Sequence, residues 1–164
     1  MQDEDAYVRK TAATCVAKVY EINPQKVESI GLLAKLKDLL FDGNGMVVSN
    51  AVQAVTEITK TRGNFVKVDQ KLVSQLLNAI QESAPWGRIS ILDFLSDNWS
   101  ELVVNDETVQ RIIPNLAHSN PAVVLAATRF ILKYLGTQEG DKARTLQRKL
   151  APPLISLMNN EPEI

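Results

Sequence analysis

Cysteine occurs once in this 164-residue chain, and so does histidine. A lone Cys15 excludes an intrachain disulfide, and a lone His118 leaves no Cys/His metal cluster. Charge of one sign is also missing: the net charge is −1, so no global field draws nucleic acid or an anionic membrane. No long apolar run exists. The longest, Ala122-Val123-Val124-Leu125-Ala126-Ala127, falls far short of the ~20 residues a membrane span needs. The start, Met1-Gln2-Asp3-Glu4-Asp5, is acidic with no apolar segment behind it, which argues against a secretory signal. Gly and Pro, 7 of each, are too few for a low-complexity chain, and 45% hydrophobic residues are too many for a disordered one. The expectation is a soluble intracellular protein of about one domain.

What the chain does contain is a repeat. A polar stretch followed by an alanine-rich apolar run appears at Asp5-Ala6-Tyr7-Val8-Arg9-Lys10-Thr11-Ala12, and again at Asn44-Gly45-Met46-Val47-Val48-Ser49-Asn50-Ala51. It returns at Asn120-Pro121-Ala122-Val123-Val124-Leu125-Ala126-Ala127, with a diverged copy at Ala84-Pro85-Trp86-Gly87-Arg88-Ile89. Glu161-Pro162-Glu163-Ile164 reads as a fifth, truncated start. If Val8, Val47, Trp86, Val123 and Ile164 are equivalent, the steps are 39, 39, 37 and 41 residues. A second series, Leu36, Leu76, Leu116 and Leu154, interleaves with the first at steps of 40, 40 and 38. Two apolar segments per period of about 39 residues place the chain at the short edge of the HEAT and armadillo repeat lengths.

Each segment has the period of a helix. Val8, Ala12, Cys15, Val19 and Ile22 make one stripe; Val48, Ala51, Val52, Val55 and Ile58 make another, as do Val123, Ala127, Ile131 and Tyr134. The leucine series contributes Val27, Ile30, Leu33, Leu36 and Leu40; Leu72, Leu76 and Ile80; Val109, Ile112 and Leu116; and Leu146, Leu150, Leu154 and Leu157. Asn23-Pro24 and Asn120-Pro121 place a capping Asn before a Pro at the first helical position. Helix stops stand at Thr61-Arg62-Gly63-Asn64 and Gly136-Thr137-Gln138-Glu139-Gly140. The pattern predicts eight helices, about 5–22, 24–41, 46–62, 69–83, 85–98, 106–118, 121–136 and 142–159, and no sheet. Pro114 and Pro152 are 38 apart and predict the same kink in successive repeats.

An amphipathic pair cannot bury its stripe alone, so the pairs are expected to stack into a right-handed α-solenoid. Its repeats start near 5, 44, 84 and 120, with the truncated one at 161. Because the first and last elements are half-repeats, the segment reads as cut from a longer solenoid.

Chemistry-bearing motifs are missing. There is no phosphate-binding Gly-x-x-x-x-Gly-Lys-Ser/Thr loop, no Gly-x-Gly-x-x-Gly and no Gly-x-Ser-x-Gly. No catalytic, metal or cofactor site is expected. His118 reads as a helix-end residue, and Asp3, Glu4 and Asp5 as charges that complement a helix N-terminus. Cys15 reads as a small core residue, Trp86 as filler between repeats, and Trp99 as a loop residue packed on its own repeat. One basic cluster, Lys142, Arg144, Arg148 and Lys149, shares the polar side of a helix opposite Leu146, Leu150 and Leu154. It is either a solvated face or a contact for anionic lipid or a partner's acidic groups. Without interleaved aromatics it does not suggest nucleic-acid binding.

Three strings together resemble one family: Tyr7-Val8-Arg9-Lys10-Thr11-Ala12-Ala13, Ala84-Pro85-Trp86-Gly87-Arg88, and Lys149-Leu150-Ala151-Pro152-Pro153-Leu154-Ile155. In this order they are similar to the trunk of the β-adaptins, the large β subunits of the clathrin-associated adaptor complexes. The likeness covers essentially the whole chain. It implies a non-enzymatic coat scaffold that binds other adaptor subunits, namely the medium subunit and the second large subunit. Clathrin would be bound only through hinge and appendage regions absent here. The resemblance further implies cytoplasmic, peripheral placement on coated vesicles, at Golgi, endosome or plasma-membrane coated pits. The other reading is a different HEAT-type interaction protein, such as the coatomer β subunit or a nuclear-transport receptor.

Overall fold

A computed structural model of the chain describes residues 1–102 and 104–160; the fifth repeat start at 161–164 lies outside them. Among the described residues there are nine α-helices and no strand. They are α1 (Ala6–Ile22), α2 (Pro24–Ser29), α3 (Leu32–Leu39), α4 (Gly45–Arg62), α5 (Gln70–Glu82), α6 (Pro85–Asp97), α7 (Asp106–Ile112), α8 (Pro121–Leu135) and α9 (Gly140–Asn160). Two short 3-10 turns, Trp99–Glu101 and Ile113–Ala117, complete the set.

Short polar side chains start most of these helices. Asp5, Asn44 and Asn120 each accept the backbone N–H two residues on, while Asn23, Asp69 and Asn105 accept the one three residues on. Two expected helices are divided. The predicted 24–41 helix breaks because Gly31 takes φ 70°, left-handed backbone that ends α2 before α3 begins. The predicted 106–118 helix tightens into a 3-10 turn at Ile113–Ala117, where Pro114 has no N–H to donate. Pro152, by contrast, lies with Pro153 inside a continuous α9, so the two prolines do not repeat one kink.

The helices form a solenoid of two rows. Helices α1, α4, α6 and α8 stack in one row, each against the next. Along their flank lie α3 with α2, then α5, then α7 with its 3-10 turn, then α9. One continuous apolar cluster runs from Ala13 to Leu150. The buried side of α1 is Ala13, Val16, Ala17 and Tyr20, not the expected Val8, Ala12, Cys15, Val19 and Ile22. Of that stripe Val8, Cys15, Val19 and Ile22 are exposed. Ile30 and Leu154 are likewise exposed rather than core, Ile30 because it ends α2.

The diverged repeat needs one shift of register. Counted from the helix starts at Ala6, Gly45, Pro85 and Pro121, the position of Val8, Val47 and Val123 is held by Gly87. Trp86 instead matches Tyr7, Met46 and Ala122, and at 76% exposure it fills no gap between repeats. Glycine is required at 87 because an added Cβ would sit 2.8 Å from Ser49 Oγ and 3.0 Å from Ser83 Cβ. Here α6 meets α4 too closely for a side chain. Gly87→Ala gains about 1 kcal/mol of helix propensity, but overpacking against this contact costs about 1–3 kcal/mol. A net fall in urea midpoint is therefore expected, and pairing it with Ser49→Gly should recover part of the loss.

Candidate functional site

Of the four cations singled out on α9, only Lys142 and Lys149 come together, in the lining of one cavity. Lys142 Nζ donates to Asp106 Oδ2 at 2.7 Å, tying α9 to α7. Tyr134 Oη donates to the other oxygen of Asp106 at 2.5 Å. Lys142 first, and then Tyr134, hold the Asp106 carboxyl below its ordinary range. In return Asp106 pushes the Tyr134 phenol up to about 12. Arg144 Nη1 lies 3.6 Å from Asp141 Oδ1. Lys149 lines a cavity of about 320 Å³ with Asp106, Val109, Tyr134 and Lys142, whereas Arg148 lies on another face with Ala151, Pro152 and Ile155. Arg129 and Lys133 of α8 are also engaged, with Asp93 at 3.8 Å and the Ser96 carbonyl at 2.6 Å.

A stronger polar contact was not expected from the sequence. Arg9 grips Asp42 with one edge of its guanidinium, Nε to Oδ2 at 2.7 Å and Nη2 to Oδ1 at 3.0 Å. Its remaining nitrogen, Nη1, donates to the carbonyls of Asp3 and Glu4. The arginine of the Tyr-Val-Arg-Lys string is thus a clamp between the first helix and the loop before α4. A second cluster repeats the logic: Arg62 Nε and Tyr20 Oη both donate to Glu28 Oε1, at 2.7 and 3.2 Å. The two arginines are 33 and 34 residues from their carboxylates, and Arg129 with Asp93 and Lys142 with Asp106 are each 36 apart. Opposite charges just under one period apart are the signal that would have found them.

The remaining singled-out residues take ordinary places. Asp5 caps α1 as expected. His118 follows the 3-10 turn, and its Nδ1 accepts the Asn120 N–H at 3.0 Å. Trp99 packs edge-on against Phe130 of α8, centroids 5.2 Å apart. That contact reaches into the next repeat. Cys15 is exposed, not in the core.

Among the described residues no group of three His, Cys, Asp or Glu side chains could hold a metal. Among the described residues no helix is long and apolar enough to cross a membrane. Stacked amphipathic helix pairs define the class of helical-repeat proteins. The family model described as Cnd1, non-SMC mitotic condensation complex subunit 1, matches residues 1–133. AP-1 complex subunit beta-1 of Mus musculus is 43% identical over 169 residues, covering 100% of this chain and 18% of its own length. AP-1 complex subunit beta of Dictyostelium discoideum is 42% identical, with the same coverage, and the Saccharomyces cerevisiae beta-1 subunit is 34% identical over 23% of its length. The chain belongs to the HEAT-like helical-repeat family that the Cnd1 model describes, and over its whole length it is similar to the beta subunits of AP-1 complexes. It spans about a fifth of the length of these relatives.

Proposed function

We propose that the chain is a segment of a β-adaptin trunk that serves as a scaffold in a clathrin-associated adaptor complex, in vesicle-mediated protein transport. The observation that carries this reading is 43% identity running the whole chain. A fold built of stacked helix pairs supports it, because such a stack offers long flanks for other subunits. On this reading residues 1–164 are one repeat array within a longer trunk. They bind the medium subunit through its N-terminal domain, and the second large subunit. Clathrin is reached through hinge and appendage regions elsewhere in the protein, and membranes are reached peripherally through the complex, on Golgi, endosomal or plasma-membrane coats. The segment is not an enzyme and takes no cofactor. On α9, Arg148 and Lys149 are the cations left for an acidic partner or anionic headgroups, since Lys142 and Arg144 already face Asp106 and Asp141.

The test is affinity capture with the purified N-terminal domain of a medium adaptor subunit. The immobilised, well-folded chain is expected to retain that domain and to show no hydrolase or nucleotide-binding activity. A folded chain that ignores it but retains a nuclear-transport GTPase or cargo would replace this reading with the transport-receptor one.

A further inference from the structure

A line of alternating cations and aromatic rings crosses the seam between the first two repeats. It begins at the end of α4, where the Arg62 guanidinium lies over the Phe65 ring, 5.4 Å from its centroid. Lys37 of α3 stands over the same ring at 5.5 Å. Phe41 comes four residues after Lys37, in the turn that ends α3. Lys71, at the start of α5, lies over the Phe41 ring at 5.1 Å. In the loop between α4 and α5, Val66 and Val68 are buried and Lys67 between them is exposed. Both rings are held between α3 and the elements that follow it. A repeat stacked before α1 would meet the opposite side of α3, so it would leave this line open.

The charge along this line is not balanced within the chain. Among the described residues Lys37, Lys67 and Lys71 form no ion pair. The carboxylates nearby are engaged: Glu28 by Arg62, Asp42 by Arg9, and Asp69 as the cap of α5. Asp38 stands about 100° round α3 from Lys37. Phe41, though covered on one face by Lys71, remains 44% exposed. An ammonium resting on a ring has already given up much of its rotamer freedom, so it costs less to immobilise again.

We propose that this line docks a peptide segment of a partner protein in which carboxylates alternate with large apolar side chains. The carboxylates meet Lys37, Lys67 and Lys71, and an apolar side chain covers the open part of Phe41. Charge and apolar surface lie side by side here, so the partner must present both at the same close spacing, as an extended chain does. Nucleic acid fits less well. Its bases need open ring faces, and here cations hold them. A bilayer would meet the ammoniums but find a single half-exposed ring to insert, little apolar area for attachment.

Fluorescence anisotropy tests this with a short labelled peptide of alternating Glu and Leu as the probe. The wild-type chain is expected to bind it saturably, more weakly as salt rises. Lys37→Glu combined with Lys71→Glu should weaken binding about tenfold or more, because attraction becomes repulsion. Phe41→Ser should weaken it too, while leaving the salt dependence in place. A peptide of alternating Gln and Leu should bind about tenfold less tightly than the acidic one. Lys149→Glu, exposed on the distant α9, should change nothing. All the substituted residues are exposed, and circular dichroism checks the fold; Lys67→Glu with Lys71→Glu replaces the double variant if helix is lost. No saturable binding by the wild type would overturn the proposal. So would equal binding of the Gln peptide, indifference to Phe41→Ser, or a loss in Lys149→Glu as large as in the double variant. A chain that ignores the peptide but sediments with phosphatidylserine vesicles, through these same lysines, would reassign the line to a lipid surface.

Discussion

Leu76→Ala is expected to cost about 2–5 kcal/mol, the range for emptying a buried leucine site that cannot fully collapse. Leu76 is fully buried at the centre of α5, a helix that packs against α4, α6 and α7. Leu154 occupies the equivalent position of α9 but is 36% exposed, so its truncation leaves no closed cavity. Leu154→Ala should cost less than about 1 kcal/mol, because only part of its surface leaves water on folding. Lys35→Ala, on an exposed side of α3, should stay within about ±0.5 kcal/mol. Gln75 sits beside Leu76 and is not neutral, since its Nε2 donates to the Asp42 carbonyl at 2.9 Å. Losing that bond costs about 1 kcal/mol. Urea unfolding measures all four as midpoint shifts at constant slope. Equal losses for Leu76 and Leu154 would mean that the two helices are not in the phase described.

This contrast marks what the residues disclosed and what they concealed. The period of about 40 residues and the helix-starting Asn and Asp side chains are local, so the repeat and most helix bounds are legible in the chain. The buried side of α1 is not. A surface helix has one apolar stripe, and periodicity then names the core face; a helix within a solenoid row has two. In α1 the stripe of Val8, Ala12, Cys15 and Val19 is as regular as the one of Ala13, Val16, Ala17 and Tyr20, and only packing distinguishes them. The same holds for the cations of α9. Their spacing on the helix is readable, but Asp106 lies 36 residues before Lys142, beyond any helical neighbour rule. Gly31 and Pro114 show the remaining limit. The sequence is compatible with a continuous helix through Gly31 and a kinked one at Pro114; left-handed backbone at the first and a missing donor at the second end the α-helix there.

Asp42→Ala is expected to lower the urea midpoint, because it removes both carboxylate contacts of the Arg9 guanidinium and the oxygen that accepts the Asn44 N–H. The same carboxylate sets an acid limit on stability. Arg9 first, and then the Asn44 N–H, hold the Asp42 pKa below its ordinary 3.8, against the opposing effect of burial. Glu28 beside Arg62 and Asp106 beside Lys142 are also lowered. A lowered acid binds its proton less readily in the folded chain than in the unfolded one. Its contribution is therefore complete above the ordinary carboxylate values and is lost as pH falls through the folded ones. Asp93 runs the other way, since burial raises it, so its protonation returns a little stability over the same acid range. Three lowered groups against one raised group give a net loss below about pH 4. At the alkaline end Tyr134, held up to about 12, keeps its proton while the unfolded phenol loses it near 10. Stability should therefore decline again between about pH 10 and 12. Thermal melts from pH 2 to 11 measure both limbs. In Asp42→Ala the acid limb should be shallower while the alkaline limb is unchanged, because Tyr134 pairs with Asp106 and not with Asp42. An acid limb of wild-type steepness in Asp42→Ala would remove the Arg9 clamp from the account.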